Sequence, residues 1–230
     1  MTKGVAMAEE PSWYSSFWTY LEFAWPDLLE LSIEHALVVL ISLAIATVLG
    51  VGLGVATYRT DRPRDLVLAV TGTFLTIPSL ALFGLFITIP GLGLGARSVV
   101  LALVMYALLP IVRNTIVGLR EVDPAVVESA QGMGMGRSQR LLRIELPLAW
   151  PVVLTGMRVS TLILIGIAAI GAYINGPGLG DIIFAGLAQI GGASALNLVL
   201  GGTLGVIVLA VLFDLVYVLI FRLTIAKGIR

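Results

Sequence analysis

The polar chemistry of this 230-residue chain is concentrated in one stretch, 128–147, which reads ESAQGMGMGRSQRLLRIELP. Seven charged or amide side chains sit there, inside a chain that is 58% hydrophobic and only 12% charged. Two more charges, Arg158 and Asp214, interrupt runs that are otherwise apolar. None of these residues forms a catalytic constellation. The chain has no cysteine, which excludes disulfides, thiolate metal sites and a cysteine nucleophile. His35 is the single histidine, so a histidine metal centre is excluded too. Neither Lys3 nor Lys227 follows a glycine, so no P-loop exists and any ATP hydrolysis must come from another chain. Gly91, Gly93 and Ala96 formally fit a dinucleotide fingerprint, but without the strand–turn–helix that gives such a fingerprint meaning. Net charge is zero, so nothing draws the chain as a whole toward nucleic acid. What remains is recognition and docking rather than bond chemistry.

The elements that must position these residues are membrane helices. Mean hydropathy is +1.03, and a soluble domain would be about 25% charged. Residues 36–58, 66–96, 159–180 and 182–213 carry no charge, and about 18 such residues suffice for a span. The expected class is an all-α integral membrane protein with about five spans, near 36–58, 68–90, 98–119, 151–173 and 197–221. Pro78 interrupts or kinks the second, and the Pro90–Gly95 run ends it. Residues 182–195, rich in glycine and alanine, are expected to form a partial helix that does not span. Gly50, Gly52, Gly54, Gly166, Gly171, Gly201, Gly202 and Gly205 are expected to allow close helix packing, within the bundle or against a second subunit.

Basic residues set the orientation. Arg59, Arg62 and Arg64, then Arg113, Arg120, Arg137, Arg140 and Arg143, then Arg222, Lys227 and Arg230 all fall on one side of a five-span chain. That side is expected to be cytoplasmic, with the N-terminus outside. Residues 1–33 would be an extracytoplasmic segment, 34–222 the transmembrane domain with a loop over 121–147, and 223–230 a cytoplasmic tail. The N-terminal segment carries six acidic residues by Glu34 and lacks a basic start, so it is not a cleavable signal. Its Trp13, Tyr14, Phe17, Trp18, Tyr20, Phe23 and Trp25 suit an amphipathic helix in the outer interface, against membrane lipid. Arg158 and Asp214 fall toward the cytoplasmic ends of spans four and five. Either they snorkel or pair with one another, or they act directly in transport. His35 lies at the outer end of span one, where it packs or hydrogen-bonds.

The polar stretch thus faces the cytoplasm. Asp123-Pro124 is a helix start, an N-cap acid followed by proline at the first helical position. Gly132, Gly134 and Gly136 permit a sharp turn. A second short helix then carries Arg137, Arg140 and Arg143, and Pro147 and Pro151 are expected to stop it before span four. A hairpin of this size cannot bury much alone and needs a partner surface.

These residues resemble a family. Permease subunits of ATP-binding-cassette importers carry a motif of E-A-A, three residues, glycine, nine residues, isoleucine, one residue, L-P. Here Glu128-Ser129-Ala130, Gly134, Ile144 and Leu146-Pro147 stand at those offsets, with Ser129 the one departure. The resemblance implies the type I importer transmembrane fold, with Glu128, Ser129, Ala130, Gly132, Met133, Gly134, Met135, Ile144, Leu146 and Pro147 forming a coupling helix that docks in a groove of a separate ATPase. Met133 and Met135 suit a conformable contact. The family is bacterial and sits in the cytoplasmic membrane. The implied partners are cytoplasmic ATPase subunits that hold the ATP and magnesium, a second permease subunit, identical or paralogous, and an extracytoplasmic substrate-binding protein. The chain itself would bind no cofactor or metal.

Within the importers the chain looks most like permeases for glycine betaine, choline and carnitine. Glu34-His35, 76–82, 106–115, 132–135 and 178–184 carry that likeness. Methionine permeases share the size and the motif and are the alternative; a stand-alone secondary transporter would instead need inverted repeats and ionisable groups at mid-membrane. Pro78, Tyr106, Pro110 and Tyr173 are candidates for the translocation path. Phe74, Phe83, Phe86 and Phe184 either join them or simply pack.

Overall fold

A computed structural model describes residues 13–224. Residues 1–12 and 225–230, which include the start of the expected N-terminal segment and most of the expected tail, lie outside the described residues. In chain order the helices are α1 (Trp13–Thr57), α2 (Asp61–Thr76), α3 (Ser79–Ile87), α4 (Ala96–Arg120), α5 (Pro124–Gly132) and α6 (Arg137–Arg140). A π-turn (Leu141–Glu145) leads into α7 (Leu146–Gly171), a 3-10 turn (Ala172–Ile174), α8 (Gly180–Ala188) and α9 (Ala195–Thr224). No strand occurs among the described residues. Four helices are long and apolar enough to cross a membrane, and α2 with α3 makes a fifth if the bent pair is one span.

Glycines set the packing of the central three helices. A Cβ at Gly50 would sit 2.8 Å from the Ile111 side chain, and one at Gly54 2.6 Å from that of Thr115. The two glycines are one helical turn apart, as are their partners, so α1 and α4 run parallel in contact. Across the other face of α4, α7 runs antiparallel. Gly118 faces Ala149, Gly156 faces Pro110 and Asn114, and Gly171 faces Val99. Phe83, Val99, Leu103, Ile111, Leu164 and Ile165 are fully buried where these helices meet. The α8–α9 pair closes through Gly186, Gly202 and Gly205 against Val199, Ile183 and Leu179. Gly52 and Gly166, expected to pack, face open space within this chain.

The structure departs from the sequence expectation at two places. The N-terminal aromatic segment is helical, but no boundary separates it from span one: α1 is a single 45-residue helix through Pro26. At 1.5 Å per residue it runs about 67 Å, twice the hydrocarbon thickness. Nothing between Trp25 and Ala36 but Pro26 breaks a helix, and a second helix holds the N-terminal half in place. Asn197 donates to Ser16, Gly201 abuts Tyr20, and Leu28 packs with Leu179 and Leu209.

Span two is interrupted at Pro78, as its sequence leads one to expect. It breaks at Ile77–Pro78 into α2 and α3, bent by 93°, because proline both lacks an N–H and pushes its predecessor into extended backbone. Ile77 has ψ 126° accordingly. The second departure is at Pro147 and Pro151, which do not end the helix before span four. Arg137–Ile174 runs as one helical rod. In the π-turn Leu146 N–H bonds to Leu141 O, five residues back. This wider turn accommodates a proline that would clash in a regular α-turn. The partial helix expected in 182–195 is present as α8, too short to span.

Polar links tie α9 to α7 where apolar burial is slight. Trp150 Nε1 donates to Thr224 Oγ1 at 3.1 Å, and Thr161 Oγ1 lies 2.9 Å from the Tyr217 hydroxyl. Arg158 Nε and Nη2 donate to the two Asp214 oxygens at 2.6 and 2.8 Å. Of the readings open for these two charges, the geometry is the mutual pair. Helix rise places it about 18 Å along α7 and about 15 Å from the end of α9.

Two measurements check this packing. Gly156→Ala puts a Cβ 2.7 Å from the Pro110 carbonyl oxygen. It is expected to cost about 1–3 kcal/mol, seen as a lower melting temperature in detergent. Gly52→Ala, with open space around it, is expected to leave melting unchanged or slightly raised. Asp214→Leu strands the Arg158 guanidinium and is expected to lower the melting temperature. Adding Arg158→Leu should recover most of that loss; a double variant no better than the single would contradict the tie.

Candidate functional site

The ends of α1, α4, α6 and α9, with the start of α2, gather at one pole of the molecule. Contacts fix this: Arg120 pairs with Asp61 at 3.6 Å, and Arg59 pairs with Glu145 at 2.9 Å. Arg59, Arg62, Arg64, Arg120, Arg137, Arg140, Arg143 and Arg222 all lie at this pole, so we call it the basic end. The hairpin of α5 and α6 projects there.

Each bend of the hairpin follows from its residues. Asp123 Oδ1 accepts from Ala125 N–H at 2.8 Å, and Pro124 occupies the first turn, where its missing N–H costs nothing. Ser129 donates to Ala125 O at 2.7 Å, so the one departure from the motif is satisfied within the helix. The helix closes with Met135 N–H on Ala130 O and Gly134 N–H on Gln131 O, at 3.1 and 2.9 Å. This double bond pattern needs a left-handed residue just past the cap. Gly134 supplies it, with φ +83°. Gly132 and Gly136 have ordinary φ, so the turn rests on the motif glycine alone.

The motif residues divide by direction. Glu128, Ser129, Gly132, Met133, Gly134 and Pro147 are exposed, Met133 at 71%. Ala130 is buried, and Met135, Ile144 and Leu146 are half-buried. Leu146 packs with Leu141 on a cluster of Tyr58, Val112, Ile116, Leu119 and Ala149, which roots the hairpin in the bundle. An open cleft of about 400 Å³ runs beside Glu128, lined by Pro124, Val127, Arg59, Arg120 and Leu119.

Sequence reasoning missed the polar centre of this root. Glu145 is 3% exposed. Its Oε1 accepts from Arg59 Nη2 at 2.9 Å and Arg140 Nε at 3.0 Å; its Oε2 accepts from the Tyr58 hydroxyl at 2.6 Å. Arg140 also reaches Gln131 in α5 at 3.5 Å. A signal was present: an acid between the motif's Ile144 and Leu146, amid basic neighbours, is out of place unless paired.

The path candidates do not form one group. The Tyr106 hydroxyl is buried and donates to Ile77 O, the carbonyl exposed by the break before Pro78. Those two therefore make one corner. Pro110 lies at the Gly156 crossing, where its carbonyl accepts from Asn114 at 2.8 Å and Ser160 donates to the nearby Ala107 O at 3.0 Å. Tyr173 is exposed beyond α7, its ring 6.1 Å from that of Phe184. Phe83 and Phe86 are core residues. His35 is fully buried; its Nε2 lies 3.1 Å from Ile165 O, so that nitrogen carries the proton, and a Cβ at Gly178 would touch the ring. No cluster of three or more metal-ligating side chains occurs among the described residues.

Comparison with known proteins agrees with this architecture. The profile of the binding-protein-dependent transport system inner membrane component family matches residues 46–225. The glycine betaine/carnitine/choline transport system permease protein OpuCD of Bacillus subtilis is 39% identical, over 80% of this chain and 78% of its own length. The OpuCB permease protein of the same system is 35% identical over 92% and 95%. The osmoprotectant import permease protein OsmW of Salmonella typhimurium is 36% identical over 88% and 94%. Among solved structures, the MetNI methionine ABC transporter aligns with a TM-score of 0.72 at 22% identity, covering 95% of this chain and 99% of that one. With its multi-pass helical fold and motif hairpin, the chain belongs to the family of binding-protein-dependent transport system inner membrane components.

Proposed function

We propose that this chain is the membrane-spanning permease subunit of an ATP-driven importer for osmoprotectants: glycine betaine, choline, carnitine or a similar quaternary ammonium compound. The observation that carries the reading is the hairpin. Its motif residues are built into a capped turn on which Glu128, Ser129, Gly132, Met133 and Gly134 are exposed. The relatives supply the substrate class, since the sequence matches at 35–39% are to permeases named for these compounds. The methionine transporter at 22% identity is a likeness of fold.

In this reading the basic end is cytoplasmic, in keeping with the positive-inside rule, and the N-terminus is outside, in the bacterial inner membrane. Two such subunits, identical or paralogous, line a path between them. ATPase subunits, which hold the ATP and magnesium, dock on the two hairpins. Their closure on ATP draws the hairpins together and turns the path from the cytoplasm to the outside, where a binding protein delivers the substrate. This chain supplies the path and the docking face. Docking on a preformed turn avoids ordering a loop at each cycle, which supports a stiff Gly134 cap.

The test is uptake of labelled glycine betaine by a host without its own osmoprotectant importers, expressing this chain with an ATPase and a binding protein. Uptake competed by choline or carnitine, and not by methionine, is expected. Glu128→Arg and Gly134→Asp are expected to abolish it at an unchanged membrane level. Normal uptake by either variant would contradict the docking role, and uptake competed by methionine would contradict the substrate.

A further inference from the structure

We propose that Glu145 is a positioning residue for energy coupling: with Tyr58, Arg59 and Arg140 it forms a strut that makes the docking hairpin and α1 move as one body. The inference rests on the permease reading and goes beyond it, because neither the motif nor the path candidates include this carboxylate.

The connectivity comes first. Helix α5 meets α6 and the π-turn, so a push on the hairpin reaches the bundle both through residues 121–123, which join it to α4, and through the segment 137–145, which continues into α7. That segment is joined to span α1 by Glu145. The chain of bonds runs from Gln131 in α5 to Arg140, from Arg140 to Glu145, and from Glu145 to Tyr58 and Arg59 at the end of α1. From there α1 is locked to α4 by the Gly50 and Gly54 crossings. A displacement at Gln131 thus has a route by side-chain bonds to the end of α1, the Gln131–Arg140 link being the longest at 3.5 Å, and by helix packing from there to α4.

The chemistry of the joint then argues for a role beyond holding the fold. Stability alone would favour leucine or methionine here, since an apolar cluster already surrounds Tyr58, Leu141 and Leu146 and buried ion pairs often add little against apolar replacements. What a carboxylate adds is direction. Two guanidiniums and a phenol converge on its two oxygens, and these bonds hold only in one register of the π-turn against α1. The rod that carries Glu145 is wound at this point as a π-turn, a feature found often at functional sites. A greasy joint would slip as the ATPases pull; a joint of directed, charge-assisted bonds transmits.

The experiment uses the whole complex in liposomes, permease with ATPase and binding protein, and whichever of labelled glycine betaine, choline or carnitine the wild type takes up. The readout is ATP hydrolysed per substrate moved. Glu145→Gln is expected to keep the ATPase bound and hydrolysing while uptake falls about tenfold, so that the ratio rises about tenfold. Tyr58→Phe, which removes one bond and leaves the charges, is expected to raise it about two- to threefold, and carries the test if Glu145→Gln fails to accumulate. Glu145→Asp, retaining the charge on a shorter arm, should fall between wild type and Glu145→Gln. Uptake and hydrolysis falling in equal proportion, or a ratio unchanged from wild type, would overturn the strut and leave the permease reading standing. A wild-type complex that moves none of the three substrates would overturn both.

Discussion

Inside lipid, apolar contact between helices gains little, because a leucine is as well solvated by acyl chains as by another leucine. The architecture therefore depends on backbones that come close enough for dispersion and polar contacts to hold them. Gly54 against Thr115, Gly156 against Pro110 and Gly171 against Val99 are such close approaches among α1, α4 and α7. These crossings put α1, α4 and α7 into one unit, and the buried side chains of Leu103, Ile111 and Leu164 fill the space they define. Helix α9, held by its pairing with α8 and by Arg158–Asp214 and Tyr217–Thr161, is the looser neighbour.

Prolines shape what the glycines assemble. Each removes a backbone donor that the membrane cannot replace with water, and the structure answers locally each time. At Pro78 the chain turns a corner, and the Tyr106 hydroxyl takes up the Ile77 carbonyl. At Pro147 the helix widens to a π-turn and continues. The second answer matters for function. Because the rod is unbroken from Arg137 to Ile174, the segment that supports the hairpin and the helix that crosses the membrane are one continuous helical element.

Much of this was legible in the sequence, for identifiable reasons. The uncharged runs are long enough that helix number follows from length alone, and α8 was too short and too glycine-rich to span. The hairpin could be read because its punctuation is local: Asp123-Pro124 starts a helix and Gly134 ends it, whatever the rest of the chain does. Contacts between distant residues were another matter. Nothing in the periodicity of 36–58 says that Gly50 and Gly54 face α4 while Gly52 does not. The Glu145 cluster joins residues more than 80 positions apart; an acid amid basic neighbours signals that it is paired, but not with which distant residues. Pro147 and Pro151 misled because proline does usually end a helix; the π-turn that lets one continue has no sequence signature of its own. The path candidates were chosen by residue type, and Tyr106 proves to brace a corner with a buried hydroxyl.

The central claim is that the exposed hairpin is the face on which an ATPase docks. The absence of native cysteine in the chain makes single-site cross-linking clean. Met133→Cys places one thiol on the hairpin, and Ile190→Cys places one at a site 79% exposed between α8 and α9. Treated with a short bifunctional thiol reagent in membranes that also contain the ATPase subunit bearing surface cysteines, Met133→Cys is predicted to give a permease–ATPase adduct and Ile190→Cys none. An adduct from Ile190→Cys, or none from Met133→Cys in a complex that still transports, would contradict the account.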